Sequence, residues 1–507
     1  MLLLTLLACP APVQPELPDL VVKGALLPGA DPMYIAVDEG LIVQIASTPL
    51  EGESLLEADV VTPGLVDAHC HPAGLGRAMA ELRLQDVTSF EDAKERIREA
   101  ADGEGWLTGR GWDQNDWPDH PGFPTAGELD LLVPDRPAAL RRVDGHAVWL
   151  NSLALEEAGI TRDTPAPEGG RILDGVLVDA AMDLVKVPET PEPVRRARLE
   201  AALAEIRSTG LIGVHAMGVG DETLGLYESM DMPLRVWVYL SPDSQAAARL
   251  KREGPWEKGR VKVVGVKAFA DGALGSRGAL LTEDYSDEPG HRGLSMASVE
   301  DLEGWATALL SVDAQLAVHA IGDKGVRNAL DAFAGARKAH PDKTLPLRVE
   351  HAQVVHPEDI PRFSELGVVA SMQPTHATSD MPWAEDRLGP ERVSWAYAWR
   401  TLLDAGVPLA FGSDFPVEEP SPSFGMWSAM YRNDEGLPPA GWQPAQKLDF
   451  ATTVGLFSEG AYDALGVDGG TIRVGAPADL TLWSAREEHM GLWFEAVASL
   501  LDGEVFE

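Results

Sequence analysis

Val60-Val-Thr-Pro-Gly-Leu-Val-Asp67-Ala-His69-Cys-His71 is an apolar run that ends on two histidines. In an extended strand, residues two apart share a face, so His69 and His71 point together while Cys70 points away. A lone His-x-His is a weak sign of a metal site. It gains weight here because four other apolar runs end on a potential ligand: Val266-Lys267, Val318-His319, Glu350-His351 and Gly412-Ser-Asp414. Strands that converge on one mouth would gather four imidazoles, an amine and a carboxylate there.

Working outward, short apolar runs at residues 61–68, 212–217, 234–240, 261–269, 316–320, 347–350, 368–372 and 409–412 alternate with longer helical stretches. Thr190-Pro191 opens one helix as cap and first-turn proline, Leu199, Leu203 and Ile206 share its inner face, and Gly210 closes it. Eight strand-and-helix alternations predict an α/β protein with a (β/α)8 TIM barrel over residues 61–467. Its active site belongs at the C-terminal ends of the strands. The stretch from Tyr34 to Ile45 alternates and turns at Asp38-Glu39-Gly40, as a hairpin does, and Gly475-Ala-Pro-Ala-Asp479-Leu-Thr-Leu-Trp483 reads as a turn and strand. Residues 19–60 and 468–507 are therefore expected to build one small β-sandwich from both ends. Residues 72–188, with a helix near 90–101 and the aromatic Gly111-Trp112-Asp-Gln-Asn-Asp-Trp117-Pro, are too long for one connection. They are expected to form an insertion after the first strand, a lid or subdomain over the mouth.

The 507 residues are 45% hydrophobic and 24% charged, typical of a globular chain with a sizeable core. With 41 Lys and Arg against 80 Asp and Glu, the formal charge of −39 argues against nucleic acid or an anionic membrane surface as partner. It fits a well-solvated surface or selection for cationic substrates. Cys9 and Cys70 offer no disulfide framework. Residues 1–18 resemble a bacterial lipoprotein signal and Pro-rich tether, with Leu6-Leu7-Ala8 before a Cys9 that would carry lipid. No Lys or Arg precedes the short apolar stretch, so a misassigned start or a buried strand is the alternative. The first reading places the protein on a bacterial cell envelope through its lipid anchor, the second in the cytoplasm.

Each candidate ligand also has a plainer explanation. Lys267 lies in a run apolar on both faces, where an unpaired ammonium is costly. It either pairs with Asp271 or, as the neutral amine, takes up carbon dioxide to give a carbamate. His319 and His351 read equally as buried, hydrogen-bonded histidines, and Asp414 as a cap or turn carboxylate. Only the conjunction on five strands is specific.

These residues resemble the amidohydrolase superfamily, in the branch containing N-substituted formamide deformylases, over nearly the whole chain. Pro63-Gly-Leu-Val-Asp-Ala-His-Cys-His71, Asp144-Gly-His-Ala-Val-Trp-Leu-Asn151, Val266-Lys-Ala-Phe-Ala-Asp-Gly-Ala-Leu-Gly-Ser276, Val318-His-Ala-Ile-Gly-Asp323, Val349-Glu-His-Ala-Gln353 and Gly412-Ser-Asp-Phe-Pro416 carry it. The resemblance implies two divalent metal ions, with zinc suited to the imidazole-rich set. It implies that His69, His71 and Asp414 hold one, that His319 and His351 hold the other, and that carbamylated Lys267 bridges them. Bound water would then be acidified and Asp414 would carry its proton to the leaving nitrogen of a small-molecule amide, an N-substituted formamide or N-acyl compound. In Leu211-Ile-Gly-Val-His215-Ala-Met-Gly218 the family often has Thr for Ile212 and Asp for Ala216, which touches local packing or substrate contact only. His215 reads as structural. His146, Trp112 and Arg277 are candidate substrate contacts, with Trp117 beside them; the alternative for the tryptophans is an insertion core. Ester or lactone hydrolysis is the second enzymatic reading, and Lys267 argues against a one-metal deaminase. A non-catalytic surface lipoprotein is the remaining reading, disfavoured by the presence of Asp414. The oligomeric state is left open.

Overall fold

The computed structural model describes residues 17–506 apart from 86, 121, 144, 146, 168, 169, 189, 435, 489 and 490. The lipoprotein signal at Cys9 and the candidate contact His146 lie outside the described residues. Eight strands stand side by side in chain order: β1 (Leu65–Cys70), β2 (Leu211–Val219), β3 (Arg235–Leu240), β4 (Val261–Phe269), β5 (Gln315–Ala320), β6 (Leu347–His351), β7 (Val368–Met372) and β8 (Leu409–Phe411). All seven successive pairings are parallel. Every residue of β1, β6, β7 and β8 is buried, because the barrel interior covers one face and helices cover the other. That is why these strands read as continuous apolar runs. The gap between β8 and β1 is bridged just past β8, where Asp414 N–H donates to His69 O at 2.8 Å and His71 N–H to Phe415 O at 2.9 Å. The result is an α/β barrel that is nearly closed.

The run at residues 61–68, expected as one strand, is divided. Ser54–Pro63 runs antiparallel to Leu480–Glu488, and β1 begins only at Leu65. Gly64 makes the transfer: its N–H donates to Asp479 O at 2.8 Å, and a Cβ there would come within 2.5 Å of Ile212 Cδ1. Only a residue without a side chain passes through that point. Both ends of the chain meet in a seven-stranded sheet that combines Leu20–Ala25, Pro32–Asp38, Leu41–Ala46 and Ser54–Pro63 with Leu480–Glu488, Gly491–Leu501 and Glu504–Phe506. Val22, Ile35, Leu480 and Leu500 lie in its core. The hairpin turns through Glu39 at φ 49° and Gly40 at φ 78°, the left-handed pair that a two-residue turn favours.

Between β1 and β2, the insertion builds a six-stranded sheet and a core of its own around Phe90, Trp112, Trp117 and Trp149. This corrects one expectation: Trp112 does not reach substrate. It is fully buried and its indole N–H donates to Leu140 O at 2.7 Å, since a separate sheet needs large apolar side chains to cover. The helix expected to be capped by Thr190 spans Glu192–Ser208, with Pro191 in the cap position and Leu199, Leu203 and Ile206 buried. Among the described residues, no helix is long and apolar enough to cross a membrane.

Candidate metal centre

The strand order carries the dispersed ligand candidates to one end of the barrel. His69 lies near the end of β1, with His71 just beyond it; Lys267, His319 and His351 occupy the final three residues of β4, β5 and β6 respectively; Asp414 follows β8. The rings of His69 and His351 are 4.7 Å apart, those of His319 and His351 4.5 Å, and Lys267 Nζ is 3.3 Å from His69 Nε2. Asp414 Oδ1 lies 3.1 Å from His71 Nε2 and 3.5 Å from His69 Nε2. The six side chains predicted as ligands therefore lie at one end of the barrel, with His319 joined to the others through its ring contact with His351.

The hydrogen bonds behind the imidazoles decide which ring atoms face the centre. Glu350 accepts from His69 Nδ1 at 2.6 Å, Met217 O from His71 Nδ1 at 3.0 Å and Gln373 Oε1 from His351 Nδ1 at 2.8 Å. Since these partners only accept, each Nδ1 carries the hydrogen and each Nε2 keeps its lone pair for the centre. Lone pairs of His69 and His71 thus face a buried carboxylate oxygen, Asp414 Oδ1, that has no hydrogen-bond partner among the described residues. Lys267 Nζ donates toward His69 Nε2 at 3.3 Å, but His71 Nε2 and Asp414 Oδ1 face each other at 3.1 Å as two acceptors, a contact that a shared proton or a cation relieves, and the donor set fits a metal ion. His351, His376 and Asp414 form a second group with ligand atoms within 4.8 Å of one another. His319 stands apart from both groups, its Nε2 3.4 Å from Gly272 O.

Burial sets the charges. It lowers His69 to about 4 and His319 to about 3, with the Lys267 ammonium adding to both, and it holds His351 well below its ordinary value. Neutral imidazoles are the form that binds metal. Burial also lowers Lys267 to about 8. For Asp414, burial acts upward and positive charge on His69, His71 and His351 acts downward, so the carboxyl lies well below its usual range when cationic charge surrounds it. Asp414 at φ 61° and His351 at φ 74° sit in the left-handed region, which costs a non-glycine residue about 1 kcal/mol or more. Surrounding bonds enforce it. Asp67 accepts Ser413 Oγ–H at 2.6 Å and Ser413 N–H at 3.1 Å, so the segment preceding Asp414 is pinned to β1. Burial raises Asp67 itself to about 7.

The ion pair considered between Lys267 and Asp271 does not form. Asp271 instead accepts backbone N–H groups of Leu280, Ile321 and Gly322 at 2.8–2.9 Å, which fixes the loops after β4 and β5. Arg277 does not present a free guanidinium to substrate either: Asp287 takes its Nε and Nη2 at 3.1 and 2.8 Å, because an exposed cation on this acidic chain readily finds carboxylates. His215 is fully buried and accepts from Arg348 Nη1 at 2.7 Å, a structural position. Sequence reasoning missed Glu350, Arg348 and His376. Arg348 and Glu350 lie two apart on β6, pair at 2.7 Å and fill the barrel interior behind His69, a spacing visible in Leu347-Arg-Val-Glu-His351. His376 lies in the helix Pro374–Asp380 after β7, its Nε2 3.9 Å from Asp414 Oδ2, and no apolar run ends on it.

A parallel eight-stranded barrel with clustered histidines and an aspartate at the strand ends defines the class of metal-dependent barrel hydrolases. The chain belongs to the amidohydrolase family, whose profile (Amidohydro_3) matches residues 56–494. YtcJ of Bacillus subtilis (strain 168), named as an amidohydrolase, is 34% identical over 471 residues, covering 86% of each chain. The N-substituted formamide deformylase of Arthrobacter pascens is 24% identical over 488 residues, covering 88% of this chain and 89% of its own. In fold, the crystal structure of an uncharacterized metal-dependent hydrolase from Pyrococcus horikoshii OT3 superimposes with a TM-score of 0.74 at 24% identity, covering 91% of this chain and 95% of that one.

Proposed function

We propose that this hydrolase cleaves a non-peptide C–N bond in a small amide, an N-substituted formamide or N-acyl compound. The observation that carries this reading is the buried, partnerless Asp414 Oδ1 between the lone pairs of His69 and His71, with Lys267 beside them. Likeness to the Arthrobacter deformylase supports the bond type. In this reading His69, His71 and Asp414 would hold one divalent ion, zinc by the nature of the donors, and His319 and His351 would hold a second. Lys267, as a carbamate, would complete the ligand set. Its neutral amine forms an N–C bond to carbon dioxide and releases a proton, a reaction favoured where no carboxylate pairs with the ammonium. The ions would supply Lewis acidity toward water and toward the substrate carbonyl.

The chain's own groups then move the proton. Asp414, ionised and held at 3.1 Å from His71 Nε2, accepts a proton from the attacking water and returns it to the departing nitrogen, so that water is split across the C–N bond into acid and amine. His69 is kept in one tautomer by Glu350, whose own charge is balanced by Arg348. The test combines metal analysis with a hydrolysis screen of N-formyl, N-acyl and cyclic amides. About two ions per chain are expected, with turnover falling about 10²- to 10⁴-fold in Asp414→Asn, the range of a lost general base. Full activity in that variant overturns the proton route, and hydrolysis of esters or lactones alone overturns the bond assignment.

A further inference from the structure

A cavity of about 410 Å³ opens beside His71, walled by Met217 at the end of β2, by Pro416 after β8 and by the insertion. Its insertion wall is cationic. Arg110 on Leu107–Trp112 and Arg141 on Ala138–Arg142 are register partners on neighbouring parallel strands, so two guanidinium side chains stand side by side on one face. Like charges directly opposite each other weaken a sheet unless something neutralises them.

Within the described residues, only the Glu81 carboxylate, already paired with Arg77, acts on both. Of the other arginines in the wall, Arg77 is paired with Glu81 at 2.6 Å and Arg142 with Asp113. Among the described residues, Arg110 donates only to Val143 O at 3.4 Å, and Arg141 forms no hydrogen bond or ion pair. Desolvation lowers both guanidinium pKa values; at Arg110 Glu81 then acts upward and Arg77 downward, and at Arg141 Arg77 acts downward and Glu81 upward. On a chain with a formal charge of −39, two such arginines side by side in a cavity make a local patch of the opposite sign. Arg277, Arg362 and Arg387, by contrast, all have carboxylate partners.

We propose that Arg110 and Arg141 form an oxyanion subsite, and that the natural substrate carries a carboxylate set back from the bond that is cleaved. The inference rests on the hydrolase reading above. Guanidinium groups suit carboxylate because their planar forks match its two oxygens. With His71 in the same wall, a molecule anchored at the arginines extends its uncharged part toward the candidate metal centre, and the cavity volume suits a small molecule. The overall negative charge would repel such substrates from the surface, while the arginine pair favours them locally.

Two readouts test this on the full-length protein. In calorimetry, phenylacetate is expected to bind at least tenfold more tightly than phenylacetamide, to weaken with added salt, and to lose about tenfold in affinity in Arg141→Gln and in Arg110→Gln, with partial recovery in Arg141→Lys. In kinetics, the ratio of kcat/KM for N-formylglycine over N-formylglycinamide is expected to fall about tenfold in Arg141→Gln. Phenylacetate affinity that is unchanged in both Gln variants overturns the subsite, because the anion is then held elsewhere. Binding of inorganic phosphate without binding of phenylacetate overturns the carboxylate assignment. Absence of hydrolysis with both formyl compounds counts against the hydrolase reading, while the calorimetric comparison still decides the subsite.

Discussion

Glu350 is completely buried, yet it controls the imidazole at the middle of the site. Burial alone would raise its pKa, but Arg348 at 2.7 Å and His69 at 2.6 Å hold it well below the carboxylate range. The charge on Glu350 both fixes the His69 tautomer and strengthens the lone pair at Nε2. In Glu350→Gln, the uncharged amide also leaves Arg348 buried without its counter-ion. Metal affinity and kcat are each expected to fall about 10- to 100-fold, read by metal analysis and steady-state rates. Unchanged stoichiometry and rate would show that Glu350 positions nothing. A second residue gives a pH signature. Asp380 is raised from 3.8 to about 7 by burial, despite a hydrogen bond from Tyr397 Oη–H. Its folded pKa lies above its unfolded one, so its stabilising contribution is complete below about 4 and is lost as pH rises through about 7. Asp380→Asn stays neutral throughout. Denaturant titrations should therefore show wild type losing stability relative to this variant between pH ~4 and ~7.5; a constant difference would contradict the raised pKa.

At the scale of elements, the barrel was legible because strands covered on both faces must be continuously apolar, and a ligand closing such a run stands out. His69, Lys267, His319 and His351 were found this way. His376 was not, because it is placed by the short helix Pro374–Asp380 rather than by a strand. The break at Gly64 was also hidden: Val60-Val-Thr-Pro-Gly-Leu-Val is apolar on both sides of it, and only the approach of Ile212 reveals why the chain changes sheets there. Trp112 was misread because an aromatic cluster in an insertion looks alike whether it packs inward or lines a mouth. Gly412, within the predicted Gly412-Ser-Asp414, has a sharper role than sequence could give. A Cβ on it would lie 2.5 Å from His69 N and 2.6 Å from Asp67 Oδ1, so β8 can approach β1 closely only without one. Gly412→Ala should push the two strands apart, costing about 1–3 kcal/mol as overpacking does, and displace Asp414 from His71. Thermal unfolding and metal content should both fall. A variant that keeps both would mean the contact yields at little cost.

Across the whole molecule, the barrel has two ends with different duties. The candidate centre and the insertion occupy the C-terminal ends of the strands, while the sheet built from both chain termini meets their beginnings. Among the bonds that tie that sheet to the barrel are Gly64 N–H to Asp479 O at 2.8 Å, Leu65 N–H to Thr481 Oγ1 at 3.3 Å and Thr481 Oγ1–H to Gly210 O at 2.9 Å. Arg235, the first residue of β3, adds an ion-pair cluster by reaching both Asp479 and Asp502. Asp479 also accepts from Asp502 N at 2.9 Å, so removing the guanidinium leaves two carboxylates facing each other across the junction with less to hold them. A half-buried pair of this kind is worth less than a fully buried one after screening by solvent, and about 1–3 kcal/mol is expected for Arg235→Ala. Because the cluster lies at the opposite end from His69 and Asp414, kcat/KM at low temperature should stay unchanged while the unfolding midpoint drops or splits into two transitions. An equal loss of activity at low temperature would show instead that the terminal sheet shapes the metal centre through the barrel strands.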